Sequence, residues 1–152
     1  MKAYSIGLYE KAMPGNLSWT EKILAAKKAG YDFIEISIDE TDEKLKRLDM
    51  SKEERIGLVS LMQALDMPIR TMCLSGHRKY PLGSNDPEIR QRSMEIMEKA
   101  LQLADDLGVR IIQLAGYDVY YEQSNNETKK YFLNNLKKIT EMAASKGILM
   151  GF

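Results

Sequence analysis

Cysteine and histidine each occur once in the 152 residues, as Cys73 and His77. One thiol cannot close an internal disulfide, and with ten methionines it suits a reducing compartment, so a cytoplasmic setting is expected. Excess charge of one sign is missing too. The 22 Lys and Arg residues balance 22 Asp and Glu, and a net charge of zero gives no field to draw in nucleic acid or an anionic membrane. No apolar run is long enough to span a bilayer, and the one in MKAYSIGLYEKAMPG is too short for a signal peptide. Without such a signal, the glycosylation patterns at Asn16 and Asn126 are read as chance. Glycines do not fall at G-x-G-x-x-G or G-x-x-x-x-G-K spacing, so the dinucleotide fingerprint and the P-loop are excluded.

What is present is a chain 44% hydrophobic and 29% charged, enough for one domain, residues 1–152, with a real core. Ser18-Trp19-Thr20-Glu21 and Ser51-Lys52-Glu53-Glu54 have capping-box spacing and predict helices ending at Gly30 and before Pro68. Asp86-Pro87 starts a third helix, in which Ile89, Ser93, Ile96, Ala100, Leu103 and Leu107 recur at helical steps up to Gly108. Asn126 is read as the cap of a fourth, closed by Gly147. Between them lie AYSIGLY (3–9), YDFIEISID (31–39), IRTMCLS (69–75), VRIIQLA (109–115) and ILMGF (148–152), whose length and β-branched content predict strands. Strand and helix alternate about as often as βαβ units require, so the sheet is parallel and the fold α/β.

Period-two reading separates an open doubly wound sheet from a barrel. Ile34, Ile36 and Ile38 share one face; Glu35, Ser37 and Asp39 share the other. Thr71, Cys73, Ser75 and His77 alternate with Met72 and Leu74, and Gln113 with Ile112 and Leu114. A polar row on three strands is costly beneath helices but tolerated in a barrel lumen near its carboxyl end. A complete barrel needs eight units and about 250 residues. This chain provides four and a fifth strand, a partial (β/α)4-β5 half-barrel.

The segments GLYEKAMPG, FIEISIDETDEKLKRLDMSKEER, MCLSGHRKYPLGS and IIQLAGYDVYYE closely resemble the L-ribulose-5-phosphate 3-epimerase family, also called L-xylulose-5-phosphate 3-epimerases, and the resemblance runs along the whole chain. It implies a xylose-isomerase-like TIM barrel nearly twice this length. It also implies inversion at C3 of a ketopentose phosphate in ascorbate and pentose catabolism. Abstraction of the C3 proton gives an enediolate, which asks for an electrophile at the carbonyl oxygen and an acid/base on each face. The resemblance assigns these roles to a divalent metal and two glutamates, the metal being held by those glutamates, an aspartate and a histidine on later strands. No catalytic residue and no metal ligand is therefore expected within residues 1–152.

What this part is expected to contribute is a grip on the sugar phosphate. His77, with Arg78 beside it, follows the third predicted strand at the barrel's catalytic end, as does Ser75. Tyr9 and Lys11 end the first strand, and Gln113 and Tyr117 the fourth. Arg78 and Lys79 are equally readable as solvated loop charges. Glu35 is read either as a substrate contact or as a carboxylate paired by Arg70 or Lys11. Cys73 is expected to pack passively, and Asp118, Tyr120 and Tyr121 to form an ordered loop. Two alternatives stand beside the epimerase reading: a non-catalytic half-barrel that associates with itself, and another sugar isomerase of the same barrel superfamily.

Overall fold

A computed structural model describes residues 3–152. The strands are β1 (Gly7–Tyr9), β2 (Phe33–Ile38), β3 (Ile69–Leu74), β4 (Ile111–Leu114) and β5 (Leu149–Gly151), all parallel and in the spatial order β1-β2-β3-β4-β5. Because every crossover steps the same way, right-handed connections put all the helices on one face. A doubly wound sheet would reverse its order at a switch point. The sheet is thus an arc of barrel wall, as the polar row anticipated.

The helices are α1 (Trp19–Lys28), α2 (Asp42–Lys46), α3 (Lys52–Ala64), α4 (Pro87–Leu107) and α5 (Asn126–Ser145). Ser18 and Ser51 form complete capping boxes with Glu21 and Glu54. Asp86 caps α4, and Gly108 ends it at φ 75°, a left-handed conformation that costs glycine nothing. The cap of α5 is Asn125, not Asn126: its side chain accepts from the N–H groups of Glu127 and Thr128. The sequence reading passed over α2. Thr41 caps it, but Lys44 stands where a capping box would carry Glu or Gln.

Ile34, Ile36, Ile38, Met72, Leu74 and Ile112 point to the helical layer and are buried against Ile23, Ala26, Leu58, Ile96, Met97 and Ile139. Each such side chain contributes about 1.5–3 kcal/mol by leaving water. The opposite parity faces the lumen in layers set by register: Tyr9 beside Glu35 beside Thr71, then Ser37 beside Cys73 beside Gln113.

At the carboxyl end of β1 the chain enters a 3-10 turn, Glu10–Ala12, and turns Glu10 into the space between β2, α1 and α2. Glu10 is 1% exposed. Its Oε1 accepts from Lys44 Nζ at 2.6 Å and Lys22 Nζ at 3.4 Å, and its Oε2 from Arg47 Nη1 at 2.5 Å and the Ser37 N–H at 2.9 Å. Burial pushes the carboxyl upward, but the bonds from Arg47, Lys44 and Ser37 outweigh it and hold Glu10 below the usual carboxylate range. The Trp19 ring faces two of the cations, Lys22 at 5.2 Å and Arg47 at 5.1 Å.

The β3–α4 connection corrects the expectation for His77. β3 ends at Leu74, Ser75 turns at φ −101° and ψ 6°, and Gly76–Arg78 form a 3-10 turn, so strand parity no longer governs direction. His77 points into the core, 3% exposed, with Nε2 3.2 Å from the Ser93 carbonyl oxygen on α4. Its ring is neutral there, and burial drives its pKa down to about 4, against a smaller opposing pull from Ser93. It braces the loop from beneath and does not reach the lumen.

Two outcomes follow from these buried groups. Glu10→Gln leaves three cations without a counter-charge and is expected to cost about 3–5 kcal/mol in urea unfolding; a loss near zero would remove the cluster's structural role. His77 binds a proton more readily unfolded than folded, so it withdraws stability as pH falls from about 6.5 toward 4. Between pH 7 and pH 5 the wild type should lose about 2 kcal/mol more than His77→Phe, read from urea midpoints, and parallel profiles would contradict the burial.

Candidate functional site

The carboxyl ends of β1 to β4 carry polar side chains that the sequence placed on the lumen face. The Tyr9 hydroxyl lies 3.0 Å from Ser37 Oγ, across the β1–β2 pair. Lys11 and Asp39 form a close salt bridge, and Asp39 also accepts from the Thr41 N–H at 2.9 Å and hydroxyl at 2.7 Å. Burial pushes the Asp39 carboxyl up, yet Lys11 and Thr41 together hold it below its usual range, while Asp39 raises the Lys11 ammonium. Glu35 is half-buried and accepts from Thr71 Oγ1 at 2.8 Å. The pairing considered for it with Arg70 or Lys11 does not occur: Lys11 is taken by Asp39, and Arg70 lies 5.8 Å above the Phe33 ring.

Beside these groups, Cys73, Ser75, Arg78, Gln113 and Tyr117 line a cleft of about 170 Å³ between the ends of β3 and β4. Of the eight expected contacts, the structure brings Ser75, Arg78, Gln113 and Tyr117 together here; Tyr9, Lys11 and Glu35 stand on the neighbouring strands, and His77 is absent from the lining. Burial raises the Cys73 thiol, so at neutral pH it is a protonated, weakly polar wall. A larger cavity of about 530 Å³ lies at the other end of the strands, near Met67, Pro68 and Gly108. Barrel chemistry belongs to the carboxyl end, so the smaller cleft is the candidate site.

The loop after β4 covers one side of this cleft. The Asp118 carboxylate accepts from Thr128 Oγ1 at 2.5 Å and Ser124 Oγ at 2.8 Å, and its carbonyl accepts from the Gly83 N–H at 3.0 Å. A Cβ on Gly83 would stand 2.5 Å from the Thr128 carbonyl and 2.7 Å from that of Asp118, so only glycine permits this approach. The Tyr117 hydroxyl is buried without a well-formed hydrogen bond, although the Arg78 guanidinium lies close enough to offset part of the upward push of burial on its pKa. The Arg78 guanidinium carbon also lies 5.3 Å from the Tyr120 ring centroid, within cation–π range.

The divalent metal implied by the sequence resemblance does not fit these residues. Among the described residues no three His, Cys, Asp or Glu side chains gather at one point. Glu35, Asp39 and Asp118 stand on different strand ends and are each held by neighbours. The hydroxyls, amide and guanidinium of this lining can hydrogen-bond and orient a polyhydroxylated ligand. Sequence reading missed Glu10 and its three cations, since a charged residue after a strand reads as the first residue of a solvated loop. Among the described residues, no helix is long and apolar enough to cross a membrane.

Several known proteins that this chain resembles are sugar epimerases. The chain is 50% identical over 143 residues to L-ribulose-5-phosphate 3-epimerases of Shigella boydii serotype 18 and Escherichia coli strain SMS-3-5, a match covering 94% of this chain and 50% of each relative. It therefore spans about half the length of the curated relatives it matches. Among solved structures, D-psicose 3-epimerase from Clostridium cellulolyticum H10 with D-tagatose superposes with a TM-score of 0.76 at 15% identity, over 97% of this chain and 51% of that one, a likeness of fold. Residues 23–152 match the family described as xylose isomerase-like TIM barrel, and the chain belongs to that family.

Proposed function

We propose that this chain is the substrate-gripping part of a 3-epimerase that interconverts L-ribulose 5-phosphate and L-xylulose 5-phosphate. The observation that carries the reading is the lumen cleft at the strands' carboxyl ends, where Ser75, Arg78, Gln113 and Tyr117 converge. Half-identity with L-ribulose-5-phosphate 3-epimerases supports it. In this reading Gln113 and Ser75 hold sugar hydroxyls, and Tyr9 and Lys11 border the ligand from β1. Tyr117 closes the side. The groups that move the C3 proton, and the divalent metal expected with them, belong to strands beyond these residues. A cytoplasmic setting and a place in ascorbate catabolism accompany the same reading.

Self-association belongs to the proposal as well. Backbone groups on the outer sides of β1 and β5 have no neighbouring strand among the described residues. Ile111, Leu149 and Phe152 stand 43%, 68% and 67% exposed, on or next to the lumen side. Open edges beside an apolar surface favour pairing with more chain.

Two measurements test this. Solvent-deuterium exchange at C3 of L-ribulose 5-phosphate should be undetectable above a buffer blank with residues 1–152 alone. It should appear when the chain is extended through the later strands of the Escherichia coli relative. Exchange by residues 1–152 alone would overturn the division of roles, and no exchange by either would remove the epimerase reading. Sedimentation velocity at tens of micromolar should show species larger than 17.4 kDa; a clean monomer would count against exposed edges.

A further inference from the structure

We propose that the loop between β4 and α5 is a strap that closes over the candidate cleft and that the Tyr121–Glu40 hydrogen bond is its latch, an inference that rests on the site proposed above and not on the reaction assigned to it. The latch joins loops whose strands are not neighbours. Tyr121 follows β4 and Glu40 follows β2, so a bond between them passes over the carboxyl end of β3, where Ser75 and Arg78 line the cleft. The Tyr121 hydroxyl donates to the Glu40 carboxylate at 3.0 Å, with the second oxygen at 3.3 Å. A row of rings connects this bond to the cleft: Tyr121 meets Tyr120 edge-on at 4.8 Å, and Tyr120 meets Tyr117, a lining residue, at 5.0 Å.

The two ends of the strap are held unequally. On the side of α4 and α5 it is tied down: the Thr128 and Ser124 hydroxyls donate to the Asp118 carboxylate, the Gly83 N–H donates to the Asp118 carbonyl, and the Asn85 N–H donates to the Glu122 carboxylate at 3.0 Å. Arg78, beside the Tyr120 ring, supports it midway. On the side of β2 the hold is the exposed hydrogen bond of Tyr121, whose ring stands 68% open to solvent. Burial does not account for an aromatic there, whereas the reach to Glu40, 81 residues away in sequence, does. A braced base at one end and an exposed bond at the other make a segment that opens locally without unfolding the strands beneath it. Opening admits a ligand to Ser75, Gln113 and Tyr117, and closing holds it against them.

The test uses Cys73, the single thiol of the chain and part of the cleft lining, as the reporter of access. Its modification by N-ethylmaleimide, an uncharged reagent, is timed in the 152-residue chain at one pH and one protein concentration, with hydrogen exchange of residues 115–124 followed alongside. Tyr121→Phe removes the hydroxyl and keeps the ring, and should speed both modification and loop exchange by about two- to tenfold, the span expected for one hydrogen bond. Glu40→Gln keeps a neutral acceptor and should give a smaller rise. Exchange at the Ile36 and Met72 amides of the core should stay as in the wild type for both variants. Equal modification rates in wild type and Tyr121→Phe overturn the strap, as does a rise matched at Ile36 and Met72, which would mean global loosening. The same rates are measured with L-ribulose 5-phosphate present, which should slow the modification. Faster modification of Tyr121→Phe with no slowing by the sugar phosphate would support the strap and count against the epimerase reading, and slowing with equal rates would do the reverse.

Discussion

The carboxyl-terminal end of this half-barrel's strands depends on one buried carboxylate. Glu10 leaves the end of β1 and takes four donors from three other places: the Ser37 amide on β2, Lys22 on α1, and Lys44 and Arg47 on and just after α2. β1 is three residues long and shares only a short ladder with β2. Strand pairing alone is a weak restraint at that length. The carboxylate supplies the rest by tying β1 to the helical layer above and below β2.

Three cations around one carboxylate leave a positive excess in a dry place, which would be costly if nothing else met it. The Trp19 ring meets two of them, and Arg47 donates as well to the Ser37 carbonyl at 3.2 Å. Lys22 still feels the burial, which lowers its pKa despite the pull of Glu10. The consequence for the site is geometric. With Ser37 fixed from behind, its hydroxyl meets Tyr9 on the lumen side, and Asp39, two residues on, receives Lys11 from the same turn that delivers Glu10. The inner and outer sides of one short turn are thus locked together, and the cleft between β3 and β4 adjoins a firm wall.

Much of the fold was legible in the sequence because it rests on local chemistry. The serine capping boxes, Asp86-Pro87 and Gly108 act within one turn of chain, and the Ile34, Ile36, Ile38 alternation states which way β2 faces. Ser75 and Gln113 could be placed at the lumen end by the same parity, and Arg78 and Tyr117 by their place just after the third and fourth strands. Parity failed where the strand stopped. His77 reads as the next lumen residue only if β3 continues, and the turn at Ser75 sends it under α4. Glu10 was illegible for another reason: its partners lie 12, 27, 34 and 37 residues away, and no local pattern announces them. Asn125 was displaced by one because Asn125 and Asn126 offer the same side chain, and only backbone geometry separates them.

What fixes this end of the half-barrel is internal to the described residues, beginning with the bonds to Glu10. Native-state hydrogen exchange at the Ser37 amide examines that claim most directly, since this N–H donates to Glu10 and not to a neighbouring strand. If the carboxylate organises this end, the Ser37 amide exchanges only through global opening, as slowly as the amides of Ile36 and Met72 in the core. Exchange as fast as at the amides of the edge strand β5 would mean that the end opens locally, and that the carboxylate does not hold it.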